Sequence, residues 1–185
     1  CNNAGPAFIF GMASSLFNEP FMCWLLWAIH IASALMIGIL LSGNRAGGNV
    51  TIPRKTVSVS NALSTAGNTI LKICGWVILF RVIISITERR LKQICTTEIL
   101  VVITGILELS NGCIAAAGIA DEALRFICVS GMLAFGGCCV FMQTVAATKD
   151  LDIGQYFKGK LLQCMLSILL SSLLMLTPKG QYIPI

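Results

Sequence analysis

Long apolar segments, each carrying polar residues at membrane depth, limit what this chain can fold into. Residues 21–41 form a run of 21 with one ionisable group, His30, near the middle. At ~1.5 Å per residue such a helix is about 31 Å long and crosses a hydrocarbon core of roughly 30 Å. Comparable runs cover 67–86, 99–119, 124–146 and 156–176, and Lys72, Arg81, Glu108 and Gln143 lie inside them or near their edges. Polar groups in lipid are costly, so they normally face a bundle interior or a cavity. The expectation is an all-α polytopic integral membrane protein of about five transmembrane helices, with broken helices and a re-entrant hairpin. Its chemistry should lie where those helices are interrupted.

Composition supports this class. Hydrophobic residues make up 56% of the chain and charged residues 11%, against ~25% charged in soluble domains. The mean hydropathy is +0.86. A net charge of +5 could suggest nucleic acid, but the cations are scattered over short segments: Arg45, Arg54 and Lys55; Arg89, Arg90 and Lys92; Lys149, Lys158 and Lys160. That is the pattern of membrane flanks, so the expected partner is a lipid bilayer and not a nucleic acid polymer. Counted over five simple crossings, five cations fall on one side and six on the other, which leaves the orientation open.

The chain opens on CNNAGP, a polar turn that runs straight into apolar sequence. This reads as the middle of a membrane element. Residues 1–185 are accordingly expected to be one membrane domain of a longer chain, lacking its N-terminal half. After Pro6 the segment to Phe17 is too short to span. It fits the second arm of a re-entrant hairpin with Asn2–Gly5 at the tip, because non-helical backbone at depth must be shielded by protein or line water. Residues 42–56 read as a glycine-rich basic loop. Residues 57–72 read as an interfacial or cavity-lining helix that continues into the second span, ending at Ile86. Residues 87–97 read as a charged connector.

Three polar interruptions can carry chemistry. Asn2-Asn3-Ala4-Gly5-Pro6 sets amide donors and acceptors beside residues that break helices. Glu108-Leu109-Ser110-Asn111-Gly112 places Glu108 and Asn111 on one helical face, with Gly112 positioned to end or kink the helix. Gly136-Gly137, with Gln143 beyond, permits either close helix contact or an unwound segment that exposes carbonyls. His30 is as compatible with proton relay as with hydrogen-bonded packing. The nine cysteines include no C-x-x-C pair and read chiefly as small apolar packing residues; soft-metal ligation by Cys113, Cys138 or Cys139 is the alternative. No G-x-S-x-G, phosphate loop or H-E-x-x-H occurs, so neither an enzyme nor a cofactor is expected.

CNNAGPAFIFG, the histidine-containing span, ILELSNG and LAFGGCCVFMQ occur in that order. Together they resemble the C-terminal half of the YlbJ family of sporulation integral membrane proteins, in the nucleoside-recognition or gate domain group. The likeness covers nearly all of the chain. More remotely, the hairpin tip and the F-G-G…Q segment look like the substrate-binding hairpin and unwound helix of concentrative nucleoside transporters. The resemblance implies a site bordered by Asn2, Asn3, Glu108, Asn111, Gly136, Gly137 and Gln143. With the residues read directly from the interruptions, the candidate substrate-binding set adds Gly5, Pro6, His30 and Ser110. It further implies a multi-pass protein of the cytoplasmic membrane in endospore-forming Firmicutes, a small polar solute, and the missing repeat as partner; an oligomer is left open. A non-transporting assembly protein of sporulation, or a metal-ion gate like that of ferrous iron transporters, are the competing expectations.

Overall fold

The computed structural model describes residues 3–42, 58–148 and 153–176. Among these every regular element is helical: α1 (Pro6–Ala13), α2 (Pro20–Leu41), α3 (Val59–Leu91), α4 (Thr97–Leu107), α5 (Leu109–Ala116), α6 (Glu122–Phe135), α7 (Gly137–Ala147) and α8 (Ile153–Leu176). Asn2 and all but the first residue of the loop expected at 42–56 lie outside the described residues. The chain is an all-α polytopic membrane protein: α2, α3, the α6–α7 pair and α8 are each long and apolar enough to cross a bilayer.

That makes four candidate spans among the described residues where about five were expected, and the difference lies at 99–119. This run is not one helix. Its two halves, α4 of 11 residues and α5 of 8, are ~16 and ~12 Å long and individually too short to span. They fold back on one another. Gly105 faces Gly112 so closely that a Cβ on Gly112 would strike the Gly105 backbone, and a Cβ on Gly118 would lie 3.4 Å from Thr97 Cγ2 at the opposite end. The pairings 105 with 112 and 97 with 118 run antiparallel, which defines a helical hairpin with Glu108 at its tip. Hydropathy alone cannot tell such a hairpin from a span, because both arms are apolar. The glycine that matters also plays a different part from the one expected: Gly112 sits inside α5 as a packing contact, and the break falls four residues earlier, at Glu108.

Other boundaries shift for local reasons. α3 runs to Leu91, through the first five residues of the segment read as a connector, because Glu88, Arg89, Arg90 and Leu91 are good helix formers. Ser58 caps its start by accepting from Asn61 N at 3.3 Å. α3 stands at the edge of the bundle, with only Phe80 and Ile84 buried. α1 begins where expected, with Gly5 at its N-cap and Pro6 at its first position.

The core gathers Ile9 of α1, Leu16 and Phe17 of the following turn, Met22, Cys23 and Leu26 of α2, and Phe126 and Val129 of α6. The α6–α8 seam is made of small and polar residues. Ser130 and Ser167 hydroxyls lie 2.8 Å apart, Ser167 also donates to Ser130 O, and Gly131 receives the Ile168 side chain. Lipid offers no hydrophobic drive for helix association, so close packing and interhelical hydrogen bonds hold such seams together.

Arg125, at the start of the apolar run 124–146, is a structural tie. Its guanidinium donates to Leu16 O at 2.7 Å and to Ile119 O at 3.0 Å, joining the turn after α1 to the turn after α5. Arg125→Ala strips donors from both turns. Because hydrogen bonds involving charged groups are worth ~1.5–3 kcal/mol, the variant is expected to lose about 2–4 kcal/mol of stability. Thermal unfolding in detergent, where the variant should show a clearly lower midpoint, checks this.

Candidate functional site

Two chain interruptions meet at one point. α6 stops at Gly136 and α7 starts at Gly137, with φ values of 86° and 79°. Both torsions lie in the left-handed region that glycine enters at little cost. A Cβ on Gly137 would lie 3.0 Å from Leu109 N, 3.3 Å from Gly105 O and 3.4 Å from Glu108 Cα. The hairpin tip therefore rests against the break in the α6–α7 helix. The glycine pair serves both purposes weighed from sequence: it unwinds the helix and it permits close approach.

Glu108 organises the tip. Its residue is 3% exposed. One carboxylate oxygen accepts from Ser110 N at 3.0 Å; the other accepts from Asn111 N at 2.7 Å and Asn111 Nδ2 at 2.6 Å. This is an N-cap on α5, where unpaired N–H groups and the helix dipole favour a carboxylate. Asn111 turns its amide oxygen outward to accept from Arg81 Nη1 at 3.0 Å. A relay from Arg81 through Asn111 to Glu108 thus links α3 to the tip, with the charges separated by one amide.

A second polar group lies on the other side of the break. Lys160 of α8 is 6% exposed, and its ammonium donates to Ala134 O at 3.2 Å, Asn3 Oδ1 at 3.3 Å and Gln163 Oε1 at 3.5 Å. Ala134 lies in the last turn of α6, where carbonyls lose their intrahelical partners, so the helix break itself supplies this acceptor. Asn3, Gln163 and Lys160 also line a cavity of about 230 Å³ with Ala34 and Ile37 of α2 and Tyr156 of α8. His30 is 1% exposed on α2, and among the described residues neither ring nitrogen has a hydrogen-bond partner; Gln163 Nε2 is likewise unpaired among them.

The candidate residues thus fall into groups. Glu108, Ser110, Asn111, Gly136 and Gly137 come together where tip meets break. Asn3 joins Lys160, while Gly5 and Pro6 open α1. Gln143 is not brought to the tip: it donates to Cys139 Sγ at 3.2 Å and faces a different cavity, between α3 and α7, with Lys72 and Trp76. Cys113 and Cys139 are fully buried and Cys138 partly so. Among the described residues no three His, Cys, Asp or Glu side chains gather as metal ligands. Sequence reasoning passed over Lys160, counting it as a flank cation, and did not pair it with Gln163. The available signal was their position inside the apolar run 156–176, three residues apart and so on one helical face.

Hairpin, broken helix and four candidate spans define a polytopic membrane protein with interrupted elements meeting in its interior. No protein-family model, curated protein or solved structure matches the chain.

Proposed function

We propose that the chain is a permease-like carrier of a small polar solute that works by alternating access around the hairpin tip and the α6–α7 break. The observation that carries this reading is the seating of Gly137 against Glu108 and Leu109. Two irregular backbone segments are brought together inside a membrane bundle, where irregular backbone is tolerated only when it is shielded or lines a cavity. In secondary transporters such discontinuous elements form the substrate site, and one packed unit moves against another around it. Here the hairpin is tied to α3 by the Arg81–Asn111 hydrogen bond and to α6–α7 by glycine contacts, and its own Gly105–Gly112 seam joins its arms into one packed unit.

The connection to sporulation, to the bacterial cytoplasmic membrane and to nucleoside-like solutes rests on the motif resemblance alone. Uptake of labelled nucleosides and small organic acids into proteoliposomes, using the full-length gene product, tests the carrier reading. Saturable uptake that is lost in a folded Gly137→Ala variant is expected. Uptake equal to that of empty liposomes for every solute would leave a structural or assembly role as the better account. Heat-resistant spore counts after gene deletion in an endospore former test the cellular part.

A further inference from the structure

We infer that the cavity between α2 and α8 binds a small carboxylate-bearing solute through Lys160 and Gln163. The inference rests on the carrier reading only in making the occupant a transported solute; binding is a separate claim with a separate measurement.

The starting point is an uncompensated charge. Lys160 is buried in a candidate span, and its hydrogen-bond acceptors are two amide oxygens and a backbone carbonyl. These neutral groups satisfy its protons but not its charge. Among the described residues no Asp or Glu lines the adjoining cavity, and the ion pair within 4 Å is Lys92–Glu88, on the exposed end of α3. A lysine near a helix end ordinarily snorkels its ammonium to the membrane surface. This one points inward to the α6 terminus instead. Buried charges in proteins are normally paired, and the missing partner here is an anion.

The surroundings are built to receive one. Gln163 makes the longest of the three contacts to the ammonium, 3.5 Å, and its Nε2 is a buried donor with no partner. Release of that contact would leave the Lys160 ammonium and the Gln163 amide N–H converging on one anionic group. His30, Ala34, Ile37 and Leu41 follow one stripe of α2, at the spacing of a single helical face. Ala34, Ile37 and Leu41 line the cavity, and His30 places an unpartnered imidazole one turn further along. Its neutral form supplies another N–H donor. The cavity, at about 230 Å³, is smaller than the ~300–1,000 Å³ of drug-sized ligand sites. That size favours an organic acid of a few carbons, with its apolar end against Ala34, Ile37 and Leu41. A lipid phosphate offers the same anionic oxygens, but only from the bilayer side.

The test uses full-length protein in nanodiscs of zwitterionic lipid, with thermal stability read against acetate, propionate, lactate, phosphate, uridine and chloride at fixed ionic strength. A saturable rise in midpoint with at least one small carboxylate, and none with uridine or chloride, is expected. Lys160→Met should weaken apparent affinity at least tenfold. Because that variant can also fail to fold, Gln163→Glu gives the second arm. It places a carboxylate beside Lys160, so it should raise the basal midpoint and remove the response to added carboxylate. No carboxylate response in folded wild type, an equal response to chloride, or stabilisation only when anionic lipid is included would each overturn the inference. So would a Gln163→Glu variant that still responds like wild type. Carboxylate binding without uptake would leave the site standing and remove the carrier reading alone.

Discussion

Gly112→Leu is expected to prevent the hairpin from closing and to abolish the folded protein. A Cβ at Gly112 would collide with the Gly105 Cα, lie 2.7 Å from Gly105 N and 2.9 Å from Met132 Sδ. Met132 Sδ can swing aside, but the Gly105 backbone cannot move without parting α4 from α5. Overpacking of a well-packed core costs ~1–3 kcal/mol, occasionally more; a backbone collision at a hairpin seam belongs at or above the top of that range, about 3 kcal/mol or more. Loss of the monodisperse peak in size-exclusion chromatography is the expected readout. Gly75→Ala is the matched control. It also removes a helical glycine, but on α3, where an added Cβ meets nothing within 4 Å. That substitution should be neutral or stabilising by up to ~1 kcal/mol, since alanine is the better helix residue. Equal behaviour of the two variants would mean that the arms do not pack as described.

Glu108→Gln should be almost as damaging, although it preserves shape. The two carboxylate oxygens serve different donors, Ser110 N on one and Asn111 N and Nδ2 on the other. Glutamine has one acceptor oxygen, so its amide nitrogen would face a donor and leave at least one partly buried N–H unpaired. The expected cost is about 2–4 kcal/mol, from lost charge-assisted bonds and an unsatisfied donor. Asn111→Ala removes Nδ2 and the acceptor for Arg81. Residues that share a network do not contribute independently, so the double variant should lose less stability than the two singles combined. Uptake per folded molecule separates the roles. If Glu108 only caps α5, uptake falls in proportion to folded protein; if its carboxylate also meets the solute, folded Glu108→Gln carries nothing. Additive losses in the cycle would dismiss the relay from Arg81 to Glu108.

The membrane class and the sites of interruption were legible in the sequence because they depend on composition and on residues that break helices. A run of twenty-one residues with His30 near its middle has few alternatives to a span, and the paired glycines at 136 and 137 mark a place where a break is possible. The fold-back at 97–118 was not legible. A carboxylate in an apolar run looks the same whether it caps a tip or lines a continuous helix, and the Gly105–Gly112 seam is recognisable only once the two arms are known to face each other. Lys160 was missed for a related reason. Seen in one dimension it sits one turn from Tyr156, near the start of its apolar run, where lysines usually snorkel. Only the break in α6 reveals the Ala134 carbonyl that draws it inward. Asn3 and Lys160 are 157 residues apart in the chain, and no local pattern could pair them.

The two ends of the hairpin report on whether α4 and α5 fold back on each other. In a background with the native cysteines replaced, Thr97→Cys and Gly118→Cys put thiols at the open ends of α4 and α5, where an added Cβ at 118 lies 3.4 Å from Thr97 Cγ2. Membrane-impermeant maleimide is applied to sealed vesicles from one side at a time, and the double variant is then oxidised. Both positions are expected to label from the same side, and the pair to cross-link into a disulfide. Labelling from opposite sides, with no cross-link, would make 97–118 a single crossing and contradict the site built at its tip.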